Sequence, residues 1–107
     1  MGDDPEQLVS YTASKGIVVQ AYSPLGDGKL MNDPSLVDIG KSVNKSSAQI
    51  ALKWLVDKGV AVVTKADSAE YLAEDIDLYN WNISAANTAA LSANRRHPQT
   101  PSWACTA

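Results

Sequence analysis

The sequence predicts an α/β protein built on parallel strands, and three observations carry that prediction. Two short β-branched runs, Ile17–Ala21 (IVVQA) and Val60–Val63 (VAVV), each follow a glycine, Gly16 or Gly59, that can end a helix. About forty residues of helix-like sequence separate them, as a crossover between parallel strands requires. Each run then breaks off at a polar or charged tip, Tyr22-Ser23-Pro24 after the first and Thr64-Lys65 after the second. Ligands of parallel α/β proteins bind beyond the carboxyl ends of the strands, so these tips are the candidate functional region.

The elements follow in order. Asp3-Asp4-Pro5-Glu6 opens a helix, with carboxylates at the positive end of its dipole and proline in the first turn. Leu8, Tyr11 and Thr12 fall at helical spacing before Lys15-Gly16 ends it. Ile17–Ala21 reads as a strand covered on both faces, because its apolar residues run on instead of alternating. Pro24 cannot continue a ladder, so Ser23–Met31 reads as a strand end and loop. Asp33-Pro34 starts the next helix, whose apolar stripe is Leu36, Val37, Ile39, Gly40 and Val43. Asn44-Lys45 interrupts it, and Ser46 or Ser47 caps a second helix whose Ile50, Ala51, Trp54 and Leu55 repeat at three and four. After the second strand, Ser68-Ala69-Glu70 begins a helix through Leu72, Ala73 and Ile76. Asn80–Ile83 reads as extended, Ser84–Asn87 opens a last helix through Leu91, and Pro98–Ala107 reads as an irregular tail. The order is α-β-α-β-α-α within one domain spanning residues 1–107.

Composition excludes several functions. The chain has 107 residues, with 12 acidic against 9 Lys and Arg, for a net charge of −3 and no block of like charge. A nucleic-acid partner needs a clustered basic surface, and Arg95-Arg96 is too small a cluster. The single Cys105 forms no internal disulfide and fits a reducing compartment. No apolar run approaches the ~18 residues of a membrane span, and Met1–Asp4 lacks a signal-peptide layout. The expectation is a cytoplasmic protein with neither membrane nor metal site. Two parallel strands leave both sheet edges unpaired, so such a pair belongs inside a larger sheet or barrel. A complete eight-unit barrel needs ~250 residues, more than twice this length. Completion by oligomerisation or by an N-terminal remainder is therefore expected.

Three words carry a resemblance: YTASKGIVVQAYSPLG, SSAQIALKWLVDKGVAVVTK and AEYLAEDIDLYNWNIS. From about Pro5 to Ala107 the chain resembles the C-terminal third of the aldo-keto reductases. These are (β/α)8 barrels that reduce carbonyls to alcohols with a nicotinamide cofactor. The resemblance implies a partial barrel holding its last two strands and part of a site for NADP, or for NAD. It implies that Tyr22 stacks on the nicotinamide, and that Ser23 and Leu25, with the Gly26–Lys29 loop, follow the pyrophosphate. It further implies Lys65 as the cation for the ribose 2′-phosphate, Ser68 as a hydroxyl donor to it, and Glu74 and Asp75 as adenine contacts.

Two positions depart from the family pattern. Ala66, followed by Asp67, stands where a serine is usual, and Tyr71 stands where an arginine packs on the adenine. Tyrosine can stack there but brings no positive charge. The implied proton-donating tyrosine, with the lysine, aspartate and histidine around it, belongs to earlier strands, so no catalytic residue is assigned here. His97, in a distal NRRHP segment, reads as a surface or tail residue, and Cys105 as an unreactive thiol. Trp54 reads as core. Trp81 and Trp103 either line a substrate mouth or cover apolar surface. Three functions stay open: a reductase segment, a non-catalytic dinucleotide-binding module, and a structural relic that folds by self-association.

Overall fold

Helix-ending glycines decide where each strand can begin. In the computed structural model, which describes residues 6–25 and 28–93, helix α1 (Glu6–Ser14) closes through Gly16 at φ 71°. The Gly16 and Ile17 amides donate to the carbonyls of Ala13 (3.1 Å) and Thr12 (2.9 Å). The backbone after Gly16 is thus occupied in capping α1. The ladder begins where the Val19 carbonyl accepts from the Ala61 amide, at 2.9 Å. Strand β1 is therefore Gln20–Tyr22, shorter and later than the expected Ile17–Ala21. Gly59, at φ 75°, does the same for the second strand: the Val60 amide donates to Leu55 O (3.2 Å), and β2 is Ala61–Val63.

The strands pair in parallel with Gln20 opposite Ala61, Ala21 opposite Val62 and Tyr22 opposite Val63. Alternation turns Ala21 and Val62 toward the helices, both half-buried, while Gln20, Tyr22, Ala61 and Val63 are exposed. Cover on both faces, the expectation for this run, is not what the structure has. Ile17 is 56% and Val18 75% exposed.

Part of the segment expected as loop is a helical turn. The Leu25 carbonyl accepts from the amides of Gly28 (3.2 Å) and Leu30 (3.3 Å), which starts a 3-10 turn over Lys29–Asn32. Ser47 Oγ donates to the Met31 carbonyl (2.8 Å) and fastens that turn to the crossover.

The crossover is two helices, α2 (Pro34–Val43) and α3 (Ser47–Asp57). Asp33 caps α2 by accepting from the Ser35 amide (2.9 Å), and Asn44 ends it in the left-handed conformation at φ 56°. Ser46, not Ser47, caps α3 through a reciprocal capping box with Gln49. Gly40 makes the tight corner possible: a Cβ there would meet the backbone carbonyl of Lys45. The core lies at this junction, where Leu36, Ile39, Ile50, Ala51 and Trp54 pack with Ile83 and Leu91.

Helix α4 (Ala69–Ile76) contributes no buried residue; Leu72 and Ile76, expected as its apolar face, are 55% and 75% exposed. Polar ties hold its end instead. Buried Gln49 donates through Nε2 to the carbonyls of Glu74 (3.2 Å) and Asp77 (3.4 Å), and Lys45 Nζ meets Asp77 Oδ2 at 2.7 Å. Trp81 donates to the Asp77 carbonyl (2.7 Å) while Lys45 and Lys53 lie over its ring. Helix α5 (Ala85–Ala93), with Ser84 accepting from the Asn87 amide (3.1 Å), buries Leu91, and its Ser92 Oγ accepts from Trp54 Nε1 (3.1 Å). Trp54 is core, as expected, and Trp81 covers the α3–α4 junction. Among the described residues no helix is long and apolar enough to cross a membrane. The Asp3–Pro5 opening, Gly26, Arg95-Arg96, His97, Trp103 and Cys105 lie outside the described residues.

Candidate functional site

Parallel register places both strand tips side by side. Tyr22 ends β1 directly opposite Val63, the end of β2. Beyond this pair is a cleft of about 500 Å³, lined by Tyr22–Leu25 and Gly28 on one side and Val63–Lys65 on the other. That volume falls within the range of small-molecule sites. Its wall is formed by a bent backbone: Ser23 has φ 46°, a left-handed conformation that costs a residue with a Cβ about 1–2 kcal/mol. The reversal swings Pro24 and Leu25, both half-buried, around the cleft. Gly28, at φ 84°, closes the bend, and a Cβ there would meet nothing within 4 Å.

The side chains at the mouth are mostly exposed. Tyr22 is 57% exposed, so its ring offers a broad apolar face. Lys65 is 87% exposed, with Nζ 3.4 Å from Asp67 Oδ1, whose own side chain is 79% exposed. Three residues on, Ser68 caps α4: its Oγ accepts from the Tyr71 amide at 3.2 Å. That bond uses the oxygen and leaves the hydroxyl hydrogen to donate elsewhere. Tyr71 follows in the first turn, 53% exposed.

Glu74 and Asp75 stand near the other end of α4, half-buried. Burial first, and the neighbouring Glu74 charge second, push the Asp75 carboxyl above its ordinary value. Asp77 moves the other way: its hydrogen bond from Lys45 holds its carboxyl below the usual value.

The structure thus gathers four of the eight expected site residues, Tyr22, Ser23, Leu25 and Lys65, into one cleft. The other four, Ser68, Tyr71, Glu74 and Asp75, lie along α4 outside that lining. Pro24 and Thr64, named with the strand tips, also line the cleft, and Val63 does so without having been singled out. Proline in SPLG signalled a chain reversal, but nothing in the sequence fixes the register that sets Val63 against Tyr22. Among the described residues no group of three or more His, Cys, Asp or Glu side chains is placed to hold a metal.

Comparison with known proteins defines the class. The sequence model described as the Aldo/keto reductase family matches residues 1–95. An uncharacterized oxidoreductase of Schizosaccharomyces pombe is 35% identical over 92 residues, covering 86% of this chain and 32% of that protein. The crystal structure of an aldo/keto reductase from Brucella melitensis superposes with a TM-score of 0.73 at 30% identity, covering 82% of this chain and 34% of that one. A mutant of Gox0644, solved in complex with NADPH, shares the fold, with a TM-score of 0.80 at 22% identity over 88% of this chain and 35% of that one. The chain belongs to the aldo/keto reductase family. It spans about a third of the length of the curated relatives it matches.

Proposed function

We propose that this chain is the C-terminal segment of a nicotinamide-dependent oxidoreductase and contributes part of its dinucleotide site. The observation that carries this reading is the side-by-side placement of the Tyr22 ring and the Lys65 ammonium around one cleft at the carboxyl ends of two parallel strands. Tyr22 would present its exposed face to the nicotinamide. The bent backbone of Ser23–Leu25 would follow the pyrophosphate. Lys65 would pair with the 2′-phosphate of NADP, with NAD as an accepted alternative, and Ser68 would donate its hydroxyl hydrogen to the same group. Tyr71, Glu74 and Asp75 would face the adenine. The bound cofactor supplies a hydride to a carbonyl carbon, giving an alcohol once the oxygen gains a proton from an acid. By resemblance that acid belongs to other strands of the barrel, so this chain binds and orients and does not turn over substrate unaided.

The exposed strand face supports a second part of the reading. Residues 1–107 act as one domain that is completed in the cytoplasm by further barrel strands, from an N-terminal remainder or from other copies of this chain. Sedimentation of the 107-residue chain at micromolar concentration should show a dimer or larger species; a stable, cooperatively melting monomer contradicts self-association. The same exposed face favours a runner-up reading, a self-associating structural relic or non-catalytic dinucleotide-binding module.

Calorimetric titration with NADP and NAD tests the cofactor site. One charge-assisted hydrogen bond is worth roughly 1.5–3 kcal/mol, or about 10- to 100-fold in affinity. Lys65→Ala should therefore remove most of any preference for NADP. Absence of binding, or binding indifferent to both the phosphate and the lysine, refutes the site.

A further inference from the structure

We infer that Asp67 sets how strongly the cleft discriminates between phosphorylated and unphosphorylated dinucleotides, holding the preference of this chain for NADP to less than about tenfold, the lower edge of what a single charged contact gives. The inference rests on the dinucleotide reading above and concerns a residue with no part in that assignment.

Lys65 supplies the positive charge among the described cleft residues, and its Nζ lies 3.4 Å from Asp67 Oδ1. Both side chains are mostly solvated, at 87% and 79% exposure. Such a pair contributes little to folding. It acts on an incoming ligand instead. A phosphate that reaches Nζ meets a carboxylate within the same few ångströms, and the pair presents no net charge where lysine by itself would present +1. A ribose 2′-hydroxyl meets the opposite situation, because a carboxylate accepts its hydrogen bond, as acidic residues do in other dinucleotide folds. One side chain therefore penalises the phosphorylated ligand and assists the unphosphorylated one.

Neighbouring residues do not restore the balance. Tyr71, exposed in the first turn of α4, offers a ring without charge. Ser68 has its oxygen engaged by the Tyr71 amide, and its remaining hydrogen can serve a phosphate oxygen or a ribose oxygen alike. Discrimination thus falls to the balance between Lys65 and Asp67.

The test measures the affinity ratio of NADP to NAD by calorimetry for the wild-type chain, Asp67→Asn, and the double variant Lys65→Met with Asp67→Asn, at low and at high salt. Asp67 is exposed, so its replacement should leave the thermal melt unchanged, which circular dichroism verifies. Repulsion between a carboxylate and a phosphate of charge about −1.5 to −2, a few ångströms apart in a watery setting, is worth about three- to tenfold. Asp67→Asn should raise the ratio by that factor, mostly by tightening NADP. The gain should shrink at high salt, where exposed charges are screened, and vanish in the double variant. A wild-type preference for NADP well above tenfold overturns the inference, as does a ratio that Asp67→Asn leaves unchanged; both outcomes leave the dinucleotide site standing. If no variant binds either dinucleotide, the dinucleotide reading fails and the inference falls with it.

Discussion

The α2–α3 junction and the strand tips, joined through a few residues, are built on opposite rules. At the junction Leu36, Ile50 and Ala51 are fully buried and every helix end carries a cap. At the tips Tyr22, Val63 and Lys65 are exposed, and Ser23 holds a left-handed backbone. The first region resolves its local constraints; the second leaves side chains uncovered and stores backbone strain where a ligand would sit. Stability and function are therefore separable in this chain, and substitutions in one region should read out differently from those in the other.

The largest expected effect comes from Ile50→Ala. Ile50 has no exposed surface, and emptying such a site costs about 2–5 kcal/mol. Urea denaturation should show that loss, whereas Lys65→Ala should stay within about 0.5 kcal/mol of wild type. Equal costs would erase the distinction between scaffold and site. Gly40→Ala should come next. Alanine is normally the better helix residue, but here its methyl would strike the Lys45 carbonyl and push α2 from α3; overpacking of this kind costs about 1–3 kcal/mol. A Gly40→Ala variant as stable as wild type would show that the corner relaxes freely.

The smallest effect concerns pH. Lys45 lowers the Asp77 carboxyl below its ordinary value. The folded state therefore binds that proton less readily than the unfolded chain, so the contribution is present above the ordinary carboxylate range. It is lost as pH falls through the lowered folded value. Asp77→Asn should flatten the acid limb of a stability-versus-pH curve. Asp75, raised by burial, works in the opposite sense, and an acid limb left unchanged in the variant would mean that other carboxylates govern it.

What could be read from the sequence follows the same division. Caps, crossover helices and the Trp54 core were legible because each is encoded within a few residues: Asp33 before Pro34, Ser46 or Ser47 ahead of the next helix, Ile50 and Trp54 on one helix stripe. The strand start was not. Ile17–Val19 have the composition of a strand, and composition does not reveal that the amide of Ile17 is used to close α1. Nor did apolar spacing in α4 reveal that Leu72 and Ile76 are exposed, since that depends on what lies opposite. Of the site, Tyr22, Ser23 and Lys65 were visible as tips of two runs, and Leu25 only through the family resemblance. The Lys65–Asp67 pair is local in sequence, but its 3.4 Å separation depends on how the chain turns into α4.

The most direct test of a separable site is to follow backbone amide chemical shifts of the labelled 107-residue chain while NADP is added. A separable site should concentrate the shifts at Tyr22–Leu25, Thr64–Lys65 and the start of α4 around Ser68, with Leu36, Ile50 and Trp54 unmoved. Shifts centred on the α2–α3 core, or none at any residue of the cleft, would contradict it.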